Sequence, residues 1–593
     1  MNRHTHVASA SPACGLLAAL LSALSNAPGA EALRIPRFRD VAKEAGIDFT
    51  HVRGSLEKDY LVETKGGGCA VFDYDGDGRE DIYFVNGSTF EDLERGTGPG
   101  NLLYRNEGSW RFREVGEAAG VADRGWGIAC AVADYDNDGR LDLYVTNWGP
   151  NRLFRNRGDG TFEDVTEKAR VGCPGFSAGA VFADLDRDGW LDLYVANYVV
   201  FEKEKTPRRG ESPTCQLGGI PILVGPVGLP RAADVYYHNE RDGTFSDGTA
   251  RAGFAAVEPG YGLGAIAGDV NQDGWPDIYV ANDSSPNFLF LNRGDGTVEE
   301  IGFESGVAFN AHGVAQAGMG TEMGDFSGSG REDIFVCNFE NDTNAYYRNE
   351  GDLFFVEESS LRGLAAPSYR CVSWSVLAFD ANLDGALDLF VGNGHVVPQA
   401  DRTPVSVGYR QPNQLFLNRG GGRFDDVSAE AGPGLAVRAA TRGSAMGDLD
   451  GDGDTDIVFN NLDGPPTVLE CEGPPLGPWI GVRLASPERN RFAIGAWVGL
   501  VEERGRELRC VRAQRSWGSS SETTLRFGLA SARAEPRVFV LWPSGREEAF
   551  SPGRPGRVAT LVEGTGLEAP WPFFEIPRER RLPRPAGSAG GKK

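Results

Sequence analysis

Seven short segments of the chain share the pattern D-x-[DNS]-x-[DS]-G-x-x-D. The first three copies place Asp73, Asp75, Asp77 and Asp81, then Asp134, Asp136, Asp138 and Asp142, then Asp184, Asp186, Asp188 and Asp192 at positions 1, 3, 5 and 9. The fourth has Asp269, Asn271, Asp273 and Asp277, the fifth Asp325, Ser327, Ser329 and Asp333, the sixth Asp380, Asn382, Asp384 and Asp388, and the seventh Asp448, Asp450, Asp452 and Asp456. Carboxylates at alternate positions of one turn crowd like charges, which destabilises a bare loop. A hard divalent cation offsets that repulsion and takes six to eight oxygens, and Gly at position 6 permits the sharp turn that gathers them. The chemistry expected here is Ca²⁺ binding at up to seven sites. It is weakest at 325–333, where two serines leave only Asp325 and Asp333. An EF-hand loop begins similarly but carries Glu at position 12; here that position is Phe84 or Val145, inside a strand-like run.

The elements that hold these loops repeat with them. Each loop follows small and apolar residues and precedes a β-prone run such as IYFVN, LYVTN or IVFNN. A second pattern, N-x-L-[FY]-x-N-x-G-x-G-x-F-x-[DE]-V, travels with the first and is clearest at 101–115, 151–165 and 413–427. Each unit therefore reads as four short strands, and radial repetition of four-stranded units gives propeller blades. The expected fold is all-β: a seven-bladed β-propeller over 38–470, then a small β-sandwich or β-barrel over 479–563 built from runs such as WIGVRL and RVFVLWP. An isolated F-x-D-V opens the region at 38–41, and the last loop is followed by TVLE with no new F-x-D-V. Spacings of 85 and 68 residues between loop starts mark two insertions, 198–233 and 394–412.

Composition narrows the function classes. Gly accounts for 81 of 593 residues, which suits a turn-rich protein. The net charge of −25 repels phosphate backbones, so nucleic acid is not an expected partner. No apolar run is long enough for a transmembrane span. Residues 1–30 read as a signal peptide, with an apolar core over 14–24 and small residues after it, so the expected location is secreted, periplasmic or at the cell surface. Residues 574–593, rich in Pro and Arg, are expected to be a disordered tail. Cys69, Cys130 and Cys337 lie in apolar strand-like runs and read as buried thiols, while Cys173 with Cys215 and Cys471 with Cys510 are candidate bridges.

With these motifs in view, residues 38–470 resemble the FG-GAP/VCBS calcium-loop propellers. Residues 479–484 (WIGVRL), 490–498 (NRFAIGAWV), 511–513 (VRA), 525–529 (LRFGL) and 542–546 (WPSGR) look like the ASPIC/UnbV domain. That order of parts is similar to the secreted cartilage acidic protein family and its bacterial members, as are 225–230 (GPVGLP) and 393–399 (NGHVVPQ). Cys215 lacks the second nearby Cys often seen in that family before the GP-x-GLP stretch. The resemblance implies calcium binding and extracellular interaction.

The expected function is recognition or adhesion outside the cell, with a glycan or protein partner. The competing readings are a calcium-dependent polysaccharide lyase or hydrolase and an accessory role in natural-product biosynthesis. No G-x-S-x-G, H-E-x-x-H or P-loop occurs, and metal loops account for many of the aspartates, so no catalytic residue is assigned. Loops alternate between the two faces of a propeller. Both insertions fall on the face away from the acidic loops, which places partner binding near Trp148, Tyr198, Asp283 and His395. The alternative is that these loops only cap the central channel.

Overall fold

A computed structural model of the protein describes residues 34–574. The expected signal peptide, and the tail beyond Phe574, lie outside the described residues. Six blades are consecutive four-stranded antiparallel meanders. Blade 1 comprises Cys69–Phe72, Asp81–Phe84, Leu102–Asn106 and Phe112–Glu114, and blade 2 comprises Trp126–Ala133, Asp142–Gly149, Arg152–Asn156 and Phe162–Asp164. Blades 3 to 6 begin at Gly175–Ala183, Gly262–Gly268, Thr321–Gly324 and Ser373–Phe379. Blade 7 takes Thr441–Gly447, Asp456–Asn461 and Thr467–Cys471 from the end of the ring. Its fourth strand, Phe38–Asp40, comes from the start and pairs Phe38 with Cys471 and Asp40 with Leu469. The isolated F-x-D-V thus supplies the strand that the last unit lacks. First strands neighbour one another in cyclic order, and that of blade 7 returns to blade 1, so the propeller closes.

The first strands are buried along nearly their whole length, and β-branched and aromatic side chains of the second strands fill the spaces between blades. In most blades, one helical turn, such as Gly116–Ala119 or Thr166–Ala169, follows the outermost strand, where the sequence indicated only a turn.

The C-terminal part resolves to a sandwich. Trp479–Ala485 pairs with Leu525–Gly528 and Val558–Val562 in one sheet. The other runs in the order Gly505–Cys510, Trp497–Glu502, Arg537–Leu541, Glu547–Phe550, Leu567–Glu568. Ile480 and Val482 of the first sheet share one core with Val498 and Val538 of the second. A hairpin, Gln514–Arg515 and Ser519–Ser520, leaves this sandwich and enters the propeller channel.

All eight described cysteines are free. This matches the reading of Cys69, Cys130 and Cys337 and corrects both candidate bridges. The Cys173 thiol takes Asn197 Nδ2 at 3.7 Å instead of Cys215, which lies in the 198–233 insertion. Cys471 ends the third strand of blade 7, whereas Cys510 ends a sandwich strand.

Candidate metal-loop face

Each acidic loop joins the first strand of its blade to the second, and all seven lie on one face. The residue at position 4 is left-handed in every copy, with φ of 72° at Gly76, 57° at Asn137, 54° at Arg187, 59° at Gln272, 69° at Gly328, 56° at Leu383 and 82° at Gly451. That bend turns the backbone so that the position-1 carboxylate accepts N–H groups from positions 5 and 6, as Asp134 does from Asp138 (3.0 Å) and Gly139 (2.9 Å). The position-9 carboxylate is also held at both oxygens. Asp81 accepts from Tyr74 N–H at 3.1 Å and Asn106 N–H at 2.7 Å.

Three-carboxylate clusters, with oxygens within 4.8 Å of one another, form at Asp73/Asp75/Asp81, Asp134/Asp136/Asp142, Asp184/Asp186/Asp188 and Asp448/Asp450/Asp456. These are the four copies with Asp at positions 1, 3, 5 and 9. Asp77 and Asp138 lie outside these clusters and pair with Arg79 and Arg140. In copies 4 and 6 the amides of Asn271 and Asn382 donate to Asp273 and Asp384, each at 3.0 Å. In copy 5, Asp333 accepts the Ser327 N–H at 2.9 Å and the Ser327 hydroxyl has no partner.

The donor set fits a hard cation. The Oδ1 atoms of Asp136 and Asp186 are buried without a hydrogen-bond partner, a costly state unless an ion takes them. Burial, then the neighbouring Asp192 and Asp188, pushes Asp186 up to about 6. Burial, with added repulsion from Asp138 and Asp136, pushes Asp134 up to about 7. Asp73, Asp75 and Asp134 also line a cleft of ≈ 370 Å³ between these loops and the sandwich, with Arg483 and Arg491 on its other wall.

Two features of this face are missing from the sequence reading. First, the Asn of the L-[FY]-x-N pattern ties each of blades 1 to 6 to the preceding loop. Asn156 Nδ2 donates to the Tyr74 carbonyl (2.7 Å), Asn239 to Tyr135 (2.9 Å) and Asn418 to Phe326 (2.8 Å). Second, the inserted hairpin satisfies inward-facing backbone groups of the first strands. Ser516 exchanges both backbone hydrogen bonds with Thr321, at 3.0 and 3.1 Å. N–H groups of Cys69, Val132, Val376 and Met446 donate to the hydroxyls of Ser519, Ser520, Ser516 and Ser521 at 3.0–3.2 Å. The approach is close: a Cβ on Gly68 would stand 2.2 Å from the Gly518 carbonyl oxygen. Trp517 at the tip is fully buried, its ring 5.2 Å from that of Trp374. The hydroxyl-rich run QRSWGSSS was the available signal.

The opposite face is closed by three interlocked segments, 51–66 and the two insertions. Asp59 pairs with Arg208 at 2.6 Å and Arg209 at 3.2 Å, and Glu57 pairs with Arg402 at 2.7 Å. Beneath them Tyr198 donates to Asp283 at 2.5 Å, beside the Lys65 ammonium, and His395 faces Glu340 at 3.3 Å. Tyr198, Asp283 and His395 are all buried, so they present no outer surface and serve the cap. Trp148 differs. It is half-buried among Phe90, Trp126 and Phe201 and lines an open groove of ≈ 590 Å³ with Leu93, Val200 and Arg231.

Comparison with known proteins agrees with this layout. The FG-GAP-like repeat family matches residues 73–145, 134–195, 227–280, 269–336, 325–391 and 405–459, and the ASPIC and UnbV family matches 486–568. Cartilage acidic protein 1 of Xenopus tropicalis is 26% identical over 495 residues, 81% of this chain and 61% of that protein. The Mus musculus protein of that name is 27% identical over 538 residues, 88% of this chain and 67% of that one. The chain thus spans about three fifths to two thirds of the length of these relatives. Among solved structures, YCF48 bound to D1 peptide aligns with 75% of this chain and 100% of its own, at 8% identity and a TM-score of 0.38.

Proposed function

The chain belongs to the FG-GAP-like repeat family, with an ASPIC and UnbV part after the repeats, and from that premise we propose that it is a calcium-loaded propeller acting in recognition outside the cell. The observation that supports the metal most directly is the pair of buried, unpartnered oxygens, Asp136 Oδ1 and Asp186 Oδ1, inside three-carboxylate clusters. Asp73, Asp75 and Asp81 would hold an ion in copy 1, Asp134, Asp136 and Asp142 in copy 2, Asp184, Asp186 and Asp188 in copy 3, and Asp448, Asp450 and Asp456 in copy 7. A donor set made only of oxygens, gathered by an irregular turn, suits Ca²⁺ better than Mg²⁺, which demands near-ideal octahedral geometry. Bound there, the ion supplies charge neutralisation and loop order.

No helix among the described residues is long and apolar enough to cross a membrane. We assign recognition of a glycan or protein partner to the Trp148 groove, where an aromatic ring and Arg231 flank open space on the face away from the loops. The test is calorimetry with Ca²⁺, then a panel of neutral and acidic polysaccharides and matrix proteins scored for both binding and cleavage. Calcium uptake, and panel binding lost in Trp148→Ala, are expected. Cleavage of a polysaccharide would replace recognition with catalysis, and binding untouched by Trp148→Ala would remove the groove from the reading.

A further inference from the structure

The C-terminal sandwich rests on the acidic loops themselves. Arg491 Nε donates to the Asn137 carbonyl at 2.8 Å, and Asn137 Oδ1 accepts the Asn490 N–H at 2.6 Å. Arg489 Nη1 donates to the Asp188 carbonyl at 2.9 Å. The Gly528 N–H donates to Asp380 Oδ2 at 3.0 Å, and Arg526 lies 3.3 Å from Asp448 Oδ2. The contacted groups are positions 1, 4 and 5 of loops 2, 3, 6 and 7, so the docking surface is made of atoms whose placement the loop conformation sets. Loops 2 and 3 also carry the two unpartnered buried oxygens. The same sandwich sends the 514–520 hairpin into the channel, and the cap of 51–66 and the insertions closes the other end.

We propose that cation binding by the loops and seating of the C-terminal sandwich are one linked equilibrium, in which loss of the ions loosens the sandwich and withdraws its hairpin from the channel. This rests on the calcium reading above. Bare loops hold the buried Oδ1 atoms of Asp136 and Asp186 without a hydrogen-bond partner, and relaxation that brings those oxygens to water moves the Asn137 and Asp188 carbonyls away from Arg491 and Arg489. A ligand that prefers one of two arrangements shifts the balance between them. Linkage is reciprocal, so weakening the sandwich contacts must also weaken calcium binding, although neither arginine offers a ligand atom.

Two measurements on the full chain test this. Hydrogen exchange is followed at Ser516–Ser520 with Ca²⁺ and with a chelator, using Phe288–Asn292 in blade 4 as a reference. Calorimetry gives the calcium affinity of wild type and of the Arg489→Ala/Arg491→Ala double variant. We expect about tenfold faster hairpin exchange without calcium at unchanged reference protection, and calcium binding about tenfold weaker in the double variant, within the usual range for coupled sites. Calcium binding with identical hairpin exchange in both conditions, or with wild-type affinity in the double variant, overturns the linkage and leaves the metal reading intact. Exchange that rises equally in the reference strand is global unfolding and also overturns it. No calcium binding by wild type overturns both readings.

Discussion

The Asn156 side-chain amide lies 2.7 Å from the Tyr74 carbonyl oxygen, joining blade 2 to the acidic loop of blade 1. The same side chain donates to the Leu141 carbonyl at 3.1 Å and accepts the Gly158 N–H at 2.9 Å, so both its N–H donors and its carbonyl oxygen bind backbone. Asn156→Ala leaves buried carbonyls unpaired and should cost about 3 kcal/mol. In blade 7 the equivalent position is Cys471, which has no amide to give. Cys471→Ala should cost only about 1 kcal/mol. Denaturant titration of the two variants gives the comparison; equal losses would show that the amide stitch contributes little.

Calcium removal should lower the melting temperature. Each filled site adds about 2.7 kcal/mol when free calcium is a hundredfold above its dissociation constant. Asp136→Ala should reduce the bound calcium by one ion. Asp325→Asn, in the copy with two serines, should leave it unchanged. Metal analysis of the purified variants decides the order, and tight binding at copy 5 would refute it.

Trp517 is buried at the centre of the ring against Trp374. Trp517→Ala opens a cavity there and should destabilise by about 3–5 kcal/mol. The melting temperature is the readout; a wild-type value would mean that the hairpin tip carries no load.

His51 makes stability fall in mild acid. Burial first, then the charges of Arg53, Lys58 and Arg442, holds its pKa well below the ordinary value, and neither ring nitrogen has a partner. The folded state keeps it neutral while the unfolded chain takes up a proton below about pH 6.5. Its contribution is present above that pH and is lost as pH falls through it, by up to about 1.4 kcal/mol per unit. His51→Phe should therefore show a shallower fall in stability between pH 7.5 and 5.5 than wild type. Parallel curves for the two proteins would dismiss the effect.

Much of the site was legible because it is local. A nine-residue spacing of Asp and Gly contains its own turn, and the run after it contains its own strand, so seven copies announced seven blades and their loops. The left-handed bend at position 4 was hidden because Asn137, Arg187, Gln272 and Leu383 adopt it without being glycine. Tyr198, Asp283 and His395 looked like surface residues because they sit at strand ends beside long loops. Only the fold shows those loops lying over them.

The sequence alone determined the repeat, the strand order within each blade and the family resemblance, since each depends on residues near one another in the chain; which three carboxylates of a loop draw together was left to the fold. Tertiary structure decided the rest. Phe38 closes on Cys471, and Ser519 reaches Cys69 across a separation of 450 residues. Such contacts leave no periodic trace, because they are selected by shape and by unpaired backbone groups that exist only once the ring has formed.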